Sequence, residues 1–129
     1  MPGGDWNHFI SINVRGNPPS LSSGVDTKST AHVQYPLVKA LEREAAAAVI
    51  AETKNMISGG SHIRLKINYK RLDFNSESRT HTSLLIGGIT NVLTGVLYHS
   101  EGDVREIEYS EESIGGSHVD SYEVKVYYR

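Results

Sequence analysis

The sequence contains no cysteine. Disulfide bonds, thiolate zinc sites and a cysteine nucleophile are therefore excluded. The chain also lacks an apolar run long enough to cross a membrane. Its first five residues, Met1 to Asp5, contain neither the basic segment nor the apolar segment that begins a signal peptide. These absences predict a cytoplasmic protein with no membrane partner.

The composition is that of an ordinary globular protein. Apolar residues make up 38% of the chain and charged residues 22%, and proline and glycine are too sparse to indicate general disorder. A chain of 129 residues is long enough to bury one core without crosslinks. We expect a single domain over residues 1–129, with flexible segments at 1–8 and 20–33.

The net charge of −2 conceals an asymmetry along the chain. Residues 1–99 contain ten Lys and Arg against seven Asp and Glu, whereas residues 100–129 contain three against eight. A nucleic-acid-binding protein usually has a clearly basic face. Here only a local basic face is available, so the overall charge predicts weak non-specific affinity for DNA.

Hydrophobic periodicity divides the chain into six elements. Alternation of apolar and polar residues predicts strands at 8–14, 62–70, 104–112 and 119–128. Helical spacing predicts helices at 36–57 and 82–97.

Turn residues give the boundaries of these elements. Pro36 suits the first turn of the first helix, and Gly59-Gly60 is expected to end that helix. Gly115-Gly116-Ser117 is expected to join the last two strands as a hairpin-like loop. The order β-α-β-α-β-β predicts an α+β fold, a mixed sheet of about four strands packed by two helices.

Four segments together resemble the RusA-type crossover-junction endodeoxyribonucleases, which are Holliday junction resolvases. They are Asn17-Pro-Pro-Ser20 after the first strand, the apolar helix at 82–97, the turn Tyr98–Asp103 and the charged strand Val104–Tyr109. The resemblance spans roughly residues 9–129. It implies a RusA-like fold, a homodimer, branched or double-stranded DNA as partner, and a role in DNA recombination and repair.

The RusA pattern opens the second helix with Asp-x-Asp-Asn-Leu-x-x-Lys and closes the following turn with Asp-Asp. This chain has His81 and Ser83 at the two helix-start aspartates and Ser100-Glu101 at the pair. In the family these aspartates bind magnesium, which activates water for phosphodiester hydrolysis. Of the matched positions only Glu101 keeps a carboxylate.

The resemblance makes Glu101, His81 and Asp103 the candidate catalytic residues. Asp103 follows Glu101 by two residues and is a possible substitute ligand. Glu101 and Asp103 are accordingly the candidate ligands of a weakly held divalent metal, Mg²⁺ or Mn²⁺. The alternative is that both are solvated turn residues and that there is no metal.

A basic face on the strand at 62–70 is the candidate nucleic-acid-binding surface, because alternate residues of a strand share a face. The candidate residues are Arg64, Lys66 and Lys70, flanked by Arg71 and Arg79. Alternatively, Glu106 and Glu108 of the next strand pair with this face and neutralise it. The aromatic residues of the last strand do not interleave with the basic ones in sequence, so base stacking is not indicated.

The second helix is the candidate dimer contact. Gly87 and Gly88 each cost about 1 kcal/mol relative to alanine inside a helix, which predicts close approach of another helix, a sheet or a second subunit. Apolar residues lie on nearly every side of this helix. We therefore expect a homodimer whose interface includes this helix or the final strand.

The sequence thus leads to a RusA-like domain with a degenerate metal site, which binds nucleic acid or is an inactive homologue. One alternative is a homodimeric protein-interaction or structural module that reuses the scaffold. Another is a divergent metal-dependent endonuclease that uses His81, Glu101 and Asp103. His81-Thr-Ser83 is a single element, whereas a two-histidine phosphoesterase needs two, one acid and one base.

Overall fold

A computed structural model of the protein describes residues 5–20, 35–52, 54–71, 82–113 and 119–129. It has the predicted α+β fold, a mixed four-stranded sheet with two helices. The strands are β1 (Asn7–Arg15), β2 (Ile63–Arg71), β3 (Val104–Ser113) and β4 (Ser121–Tyr128), and the helices are α1 (Tyr35–Ala51) and α2 (Thr82–Leu93). Asn7 and His8, which were expected to be flexible, belong to β1.

The strands are arranged in the order β1-β4-β2-β3. β4 is antiparallel to both of its neighbours, and β3 is parallel to β2. Parallel neighbours need a crossover connection, and α2 lies between them in the chain. The expected hairpin between the last two strands is wrong, because β4 pairs with β1 and β2 and not with β3. Gly115-Gly116-Ser117 lies outside the described residues.

Only one face of the sheet is buried. The residues of β2 and β4 that point to this face include Ile63, Leu65, Ile67, Tyr69, Tyr122, Val124 and Val126, all of them buried. They confirm the predicted alternation. α1 packs against β1 and α2, and its predicted apolar stripe supplies Val38, Leu41 and Ala45 to the core.

The opposite face, which we call the open face, carries polar and charged side chains. Its residues on the four strands include Ser11, Asn13, Arg64, Lys66, Asn68, Lys70, Glu106, Glu108, Glu112, Glu123, Lys125 and Tyr127, which are half-buried or exposed. Neither α1 nor α2 covers this face, since both contribute to the core on the other side. Among the described residues, the two helices therefore leave the open face available to a partner.

The first helix ends at Ala51 and not at residue 57. Beyond it the Lys54 ammonium donates to the carbonyl oxygen of Phe9 and lies over the Phe9 ring. The backbone amide of Ile57 then donates to the carbonyl of Leu97 at 2.8 Å. These tertiary contacts take the chain out of the helix while keeping Ile57 buried, so Gly59-Gly60 forms a separate turn.

The second helix ends at Leu93 and not at residue 97. Gly95 has a φ of 86°, in the left-handed region that favours glycine. The hydroxyls of Thr94 and Tyr98 each donate to the carbonyl of Thr90 at 2.9 Å. The helix is thus closed by side chains of the following turn.

The loop Asn17-Pro-Pro-Ser20 packs directly against α2 at Gly88. A Cβ placed on Gly88 would lie 2.8 Å from the Cα of Ser20, and the carbonyl of Pro19 would be closer still. The close approach that the glycine pair predicted is therefore present. At Gly88 the neighbour is the chain's own loop and not a second subunit.

We expect Gly88→Ala to lower the free energy of unfolding by about 2 kcal/mol, because the new methyl group meets backbone atoms that cannot turn aside. Gly59→Ala is the matched control, since a Cβ there would have its nearest neighbour, a ring atom of His99, at 3.7 Å. It should change stability by no more than about 0.5 kcal/mol. Urea denaturation measures both. Equal stability of the two variants would contradict the loop contact.

Candidate functional site

The two candidate metal ligands lie in a single 3₁₀ turn, Glu101–Asp103, between α2 and β3. Ser100 caps this turn, because its hydroxyl oxygen accepts a hydrogen bond from the Gly102 amide at 3.1 Å. The amide of Asp103 donates to the carbonyl of Ser100 at 3.0 Å. Ser100, which stands at one of the family's aspartate positions, is therefore a capping residue here.

The carboxylates of Glu101 and Asp103 are directed at different elements. Oε1 of Glu101 shares the hydroxyl hydrogen of Thr90 on α2 at 3.4 Å, and the shorter branch of that bond goes to the carbonyl of Gly87 at 3.0 Å. Oδ2 of Asp103 accepts from the backbone amide of Gly60 at 3.3 Å. The first bond ties the turn to the helix, and the second ties it to the segment before β2. Both carboxylates serve to position the turn.

The helix-start position is remote from this turn. Ser83 lies seven residues before Thr90 on α2, a rise of about 10 Å along the helix axis. Magnesium holds its ligands at about 2.1 Å, so two ligands of one ion lie within roughly 4 Å of each other. Ser83 and the carboxylate beside Thr90 therefore do not meet within one chain.

His81 lies outside the described residues. Within the described ranges, no group of three or more His, Asp or Glu side chains is placed to hold a metal ion. The arrangement of Glu101, Asp103 and Ser83 does not fit the magnesium site that the RusA resemblance implies.

The basic strand is paired with the acidic one along the open face. Arg64 lies 3.7 Å from Glu106 and 3.3 Å from Glu108. Lys66 lies 3.7 Å from Glu108. The parallel register of β2 and β3 places these residues opposite one another. The alternative in which the glutamates neutralise the basic face is therefore the arrangement that the chain adopts.

These ion pairs are exposed and weak. A fourth pair joins Lys70 to Glu112 at 3.9 Å, and the side chains of all four pairs are between 28% and 60% exposed. Such pairs contribute about 0–1 kcal/mol each and weaken as salt screens them. A phosphate group can compete with the glutamates for the same cations.

Lys125 of β4 adds a cation to this face. It lies opposite Lys66 on β2 and opposite Ser11 on β1. Like charges directly opposite each other on a sheet are destabilising, and Lys125 has no ion pair among the described residues. Glu123, two residues earlier on the same strand, faces Asn68 and Asn13.

Arg71 lies on the buried side of the sheet, away from the other predicted nucleic-acid-binding residues. Its Nη1 is 3.6 Å from a carboxylate oxygen of Glu111, and the two side chains are only 11% and 7% exposed. Its guanidinium lies 5.4 Å from the ring centre of Tyr69. Arg71 is odd-numbered, like the buried residues Ile67 and Tyr69 of the same strand, so the alternation alone predicts that it lies on the buried side. Arg79 lies outside the described residues.

Two buried tyrosines belong to the same polar region. The Tyr69 hydroxyl lies 3.1 Å from both Asn17 Oδ1 and Asp120 Oδ2, and the Tyr109 hydroxyl donates to Glu111 at 2.6 Å. Burial raises the pKa of Tyr69, and the negative charge of Asp120 raises it further. Burial and the hydrogen bond to Glu111 likewise raise the pKa of Tyr109. Both hydroxyls stay protonated at neutral pH and act as structural donors.

We expect Glu111→Ala to lower the free energy of unfolding by about 3 kcal/mol, because it leaves the buried Arg71 charge without its partner. Glu112→Ala is the matched control, since the neighbouring Glu112 forms an exposed pair with Lys70. It should change stability by no more than about 0.5 kcal/mol. Thermal or urea unfolding of both variants checks this. An equally large loss in the control would show that burial of the Arg71–Glu111 pair does not cause the loss of stability.

One end of the open face combines aromatic rings with cations, which the sequence did not indicate. A bulge between His8 and Ile10 lets Phe9 and Ile10 both face the core and brings His8 opposite Tyr127. Tyr127 also lies opposite Arg64. Tyr127 and Arg64 do not interleave in sequence, but the order of the strands makes them neighbours in the sheet.

The contacts at this end are close. The rings of His8 and Tyr127 meet edge to face with centres 5.4 Å apart. The Arg64 guanidinium lies 5.9 Å from the Tyr127 ring centre, and the Arg129 guanidinium lies 4.2 Å from that of Trp6. We call Trp6, His8, Tyr127, Arg64 and Arg129 the aromatic end.

Comparison with protein-family models and with curated proteins gives no match. No described helix is both long and apolar enough to cross a membrane.

Proposed function

We propose that this chain is a RusA-like domain that binds nucleic acid through the open face of its sheet and does not cleave it. The observation that carries the proposal is the row formed by Arg64, Lys66 and Lys125 on the two central strands. These cations project from a surface that no described helix covers. A cytoplasmic location and branched or double-stranded DNA as the partner go with this proposal.

Repulsion between the cations of this row favours binding of a phosphate group between them. Lys66 and Lys125 lie opposite each other with one glutamate, Glu108, paired to Lys66. A phosphate oxygen between the two ammonium groups relieves their repulsion. Counterions released from the nucleic acid add to the affinity and make it depend on salt.

The absence of cleavage follows from what the turn carboxylates do. Glu101 and Asp103 accept hydrogen bonds from α2 and from Gly60, and each is directed at a different element. Magnesium-dependent hydrolysis needs oxygen ligands that converge on one ion. The proposal therefore assigns to this turn a structural role in place of the family's catalytic one.

We expect no measurable magnesium- or manganese-dependent cleavage of a synthetic four-way DNA junction. Loss of the shared metal removes most of the charge stabilisation of such a reaction, which lowers the rate by orders of magnitude. Gel analysis of labelled junction after long incubation is the measurement. Robust cleavage that disappears in Glu101→Ala would show that the turn is catalytic.

We expect Glu108→Gln to strengthen binding of labelled junction or duplex several-fold at low salt, because it releases Arg64 and Lys66 from their shared glutamate. Lys125→Ala should weaken binding, and both effects should shrink as salt rises. Fluorescence anisotropy measures the affinities.

The matched control is Glu44→Gln, which makes the same change in net charge on α1, where Glu44 pairs with Arg43. If Glu44→Gln strengthens binding as much as Glu108→Gln, only net charge matters and the open face has no special role. If the wild-type chain binds neither nucleic acid, the proposed function is wrong.

A second candidate is a homodimeric protein-interaction module, favoured by one observation. Ile50 is 77% exposed on α1, beside exposed Ala46 and Ala47. The second helix needs no partner subunit for most of its apolar surface, since its residues Leu85, Ile89, Val92 and Leu93 are buried within one chain. Sedimentation at micromolar concentration, with and without junction DNA, separates this candidate from a nucleic-acid-binding monomer.

A further inference from the structure

We propose that the aromatic end of the open face binds unpaired nucleobases, so that this domain takes single-stranded or unstacked nucleic acid there. The inference rests on the proposed function and deepens it by naming the substrate class. The geometry that carries it consists of two ring-and-cation groups at one end of the sheet, His8 with Tyr127 and Arg64, and Trp6 with Arg129.

The rings are accessible and supported from behind. His8 is exposed, and Tyr127 and Trp6 are half-buried, so each ring is held by the sheet yet reaches solvent. The edge-to-face contact between His8 and Tyr127, with centres 5.4 Å apart, keeps both rings in defined orientations. Rings held in this way lose little freedom when a base stacks on them.

Cations lie within reach of the phosphates of a stacked nucleotide. Lys125 is two residues from Tyr127 on the same face, a distance of about 7 Å along the strand. Arg64 lies directly across from Tyr127. Stacking platforms combined with a basic track are typical of proteins that bind single strands without sequence preference.

The acidic residues at this end include Asp5, next to Trp6 in sequence, Asp103, just before β3, and Glu106. Glu106 lies opposite Arg64 on β3, at 3.7 Å from that guanidinium. It is 51% exposed and forms a surface pair, which salt or phosphate displaces readily. Glu108 also reaches Arg64 but belongs to the neighbouring row with Lys66.

A duplex cannot use this end in the same way. Its bases are already stacked and paired, so their faces are not available to protein rings. The open face therefore has two binding regions with different requirements. Phosphates of any nucleic acid interact with the cationic row, and only unpaired bases stack on the rings.

The test compares short oligo(dT) and oligo(rU) with a matched DNA duplex by fluorescence anisotropy. Tyr127→Ala should weaken binding of a single strand about tenfold and leave duplex binding within about twofold. Tyr127→Phe, which keeps the ring, should bind like the wild type. The matched control is Tyr35→Ala on α1, because Tyr35 also has a cation, Lys39, near its ring at 5.4 Å.

A second readout needs no variant. Trp6 is the only tryptophan of the chain, and it belongs to the aromatic end. Its emission should be quenched when oligo(dT) or oligo(rU) binds and should change little with duplex. Oligo(dU) and oligo(rU) differ in the sugar alone, so their relative affinities identify the preferred sugar.

Two failures are distinguishable. If the wild type binds single strand and duplex equally, with no change in Trp6 emission and no effect of Tyr127→Ala, the aromatic end has no role and the cationic row remains. If the wild type binds no nucleic acid at any salt concentration, the proposed function fails and this inference fails with it.

Discussion

The fold depends on one constraint, which is that the four-stranded sheet buries a single face. Both helices contribute their apolar residues to the same core as β2 and β4, and α1 packs on β1 and α2. Backbone contact between the Asn17-Pro-Pro-Ser20 loop and Gly88 holds α2 in place on that side. The strands β1, β2 and β4 therefore each have one buried, mostly apolar side and one polar side, and their polar sides form the open face together with that of the edge strand β3.

The same constraint bears on the structural role proposed for the Glu101–Asp103 turn. α2 spans the distance between its first turn and the 3₁₀ turn before β3, so the two ends of the family's pattern are far apart in one chain. Glu101 and Asp103 then fasten the turn to Thr90 and Gly60. What remains chemically available lies on the other side of the sheet, where cations and rings from three strands are neighbours.

Much of the fold follows from the sequence because periodicity records which residues face the core. The strands and the buried stripe of α1 agree with that pattern. The end of α1 does not, since Lys54 and Ile57 act through tertiary contacts that no local pattern contains. The end of α2 is set locally, by Gly95 and by hydroxyls of the following turn that bond to Thr90. The position of β4 between β1 and β2 is likewise non-local, and with it the adjacency of Tyr127 and Arg64. Residues 64 and 71 of β2 differ by an odd number, so the alternation of the strand puts Arg64 and Arg71 on opposite faces of the sheet. The sequence-based prediction grouped them as one binding surface because they are close in sequence.

The most direct test of a nucleic-acid-binding open face is an amide chemical-shift titration of the labelled protein with short oligo(dT) and with duplex DNA. The account predicts that shifts concentrate on alternate residues of the strands, around Lys66, Lys125 and Tyr127, with Tyr127 and Trp6 responding to the single strand alone. Residues of α1 and of the Glu101–Asp103 turn should stay unchanged. Shifts centred on that turn, or no shifts at all, would contradict the account.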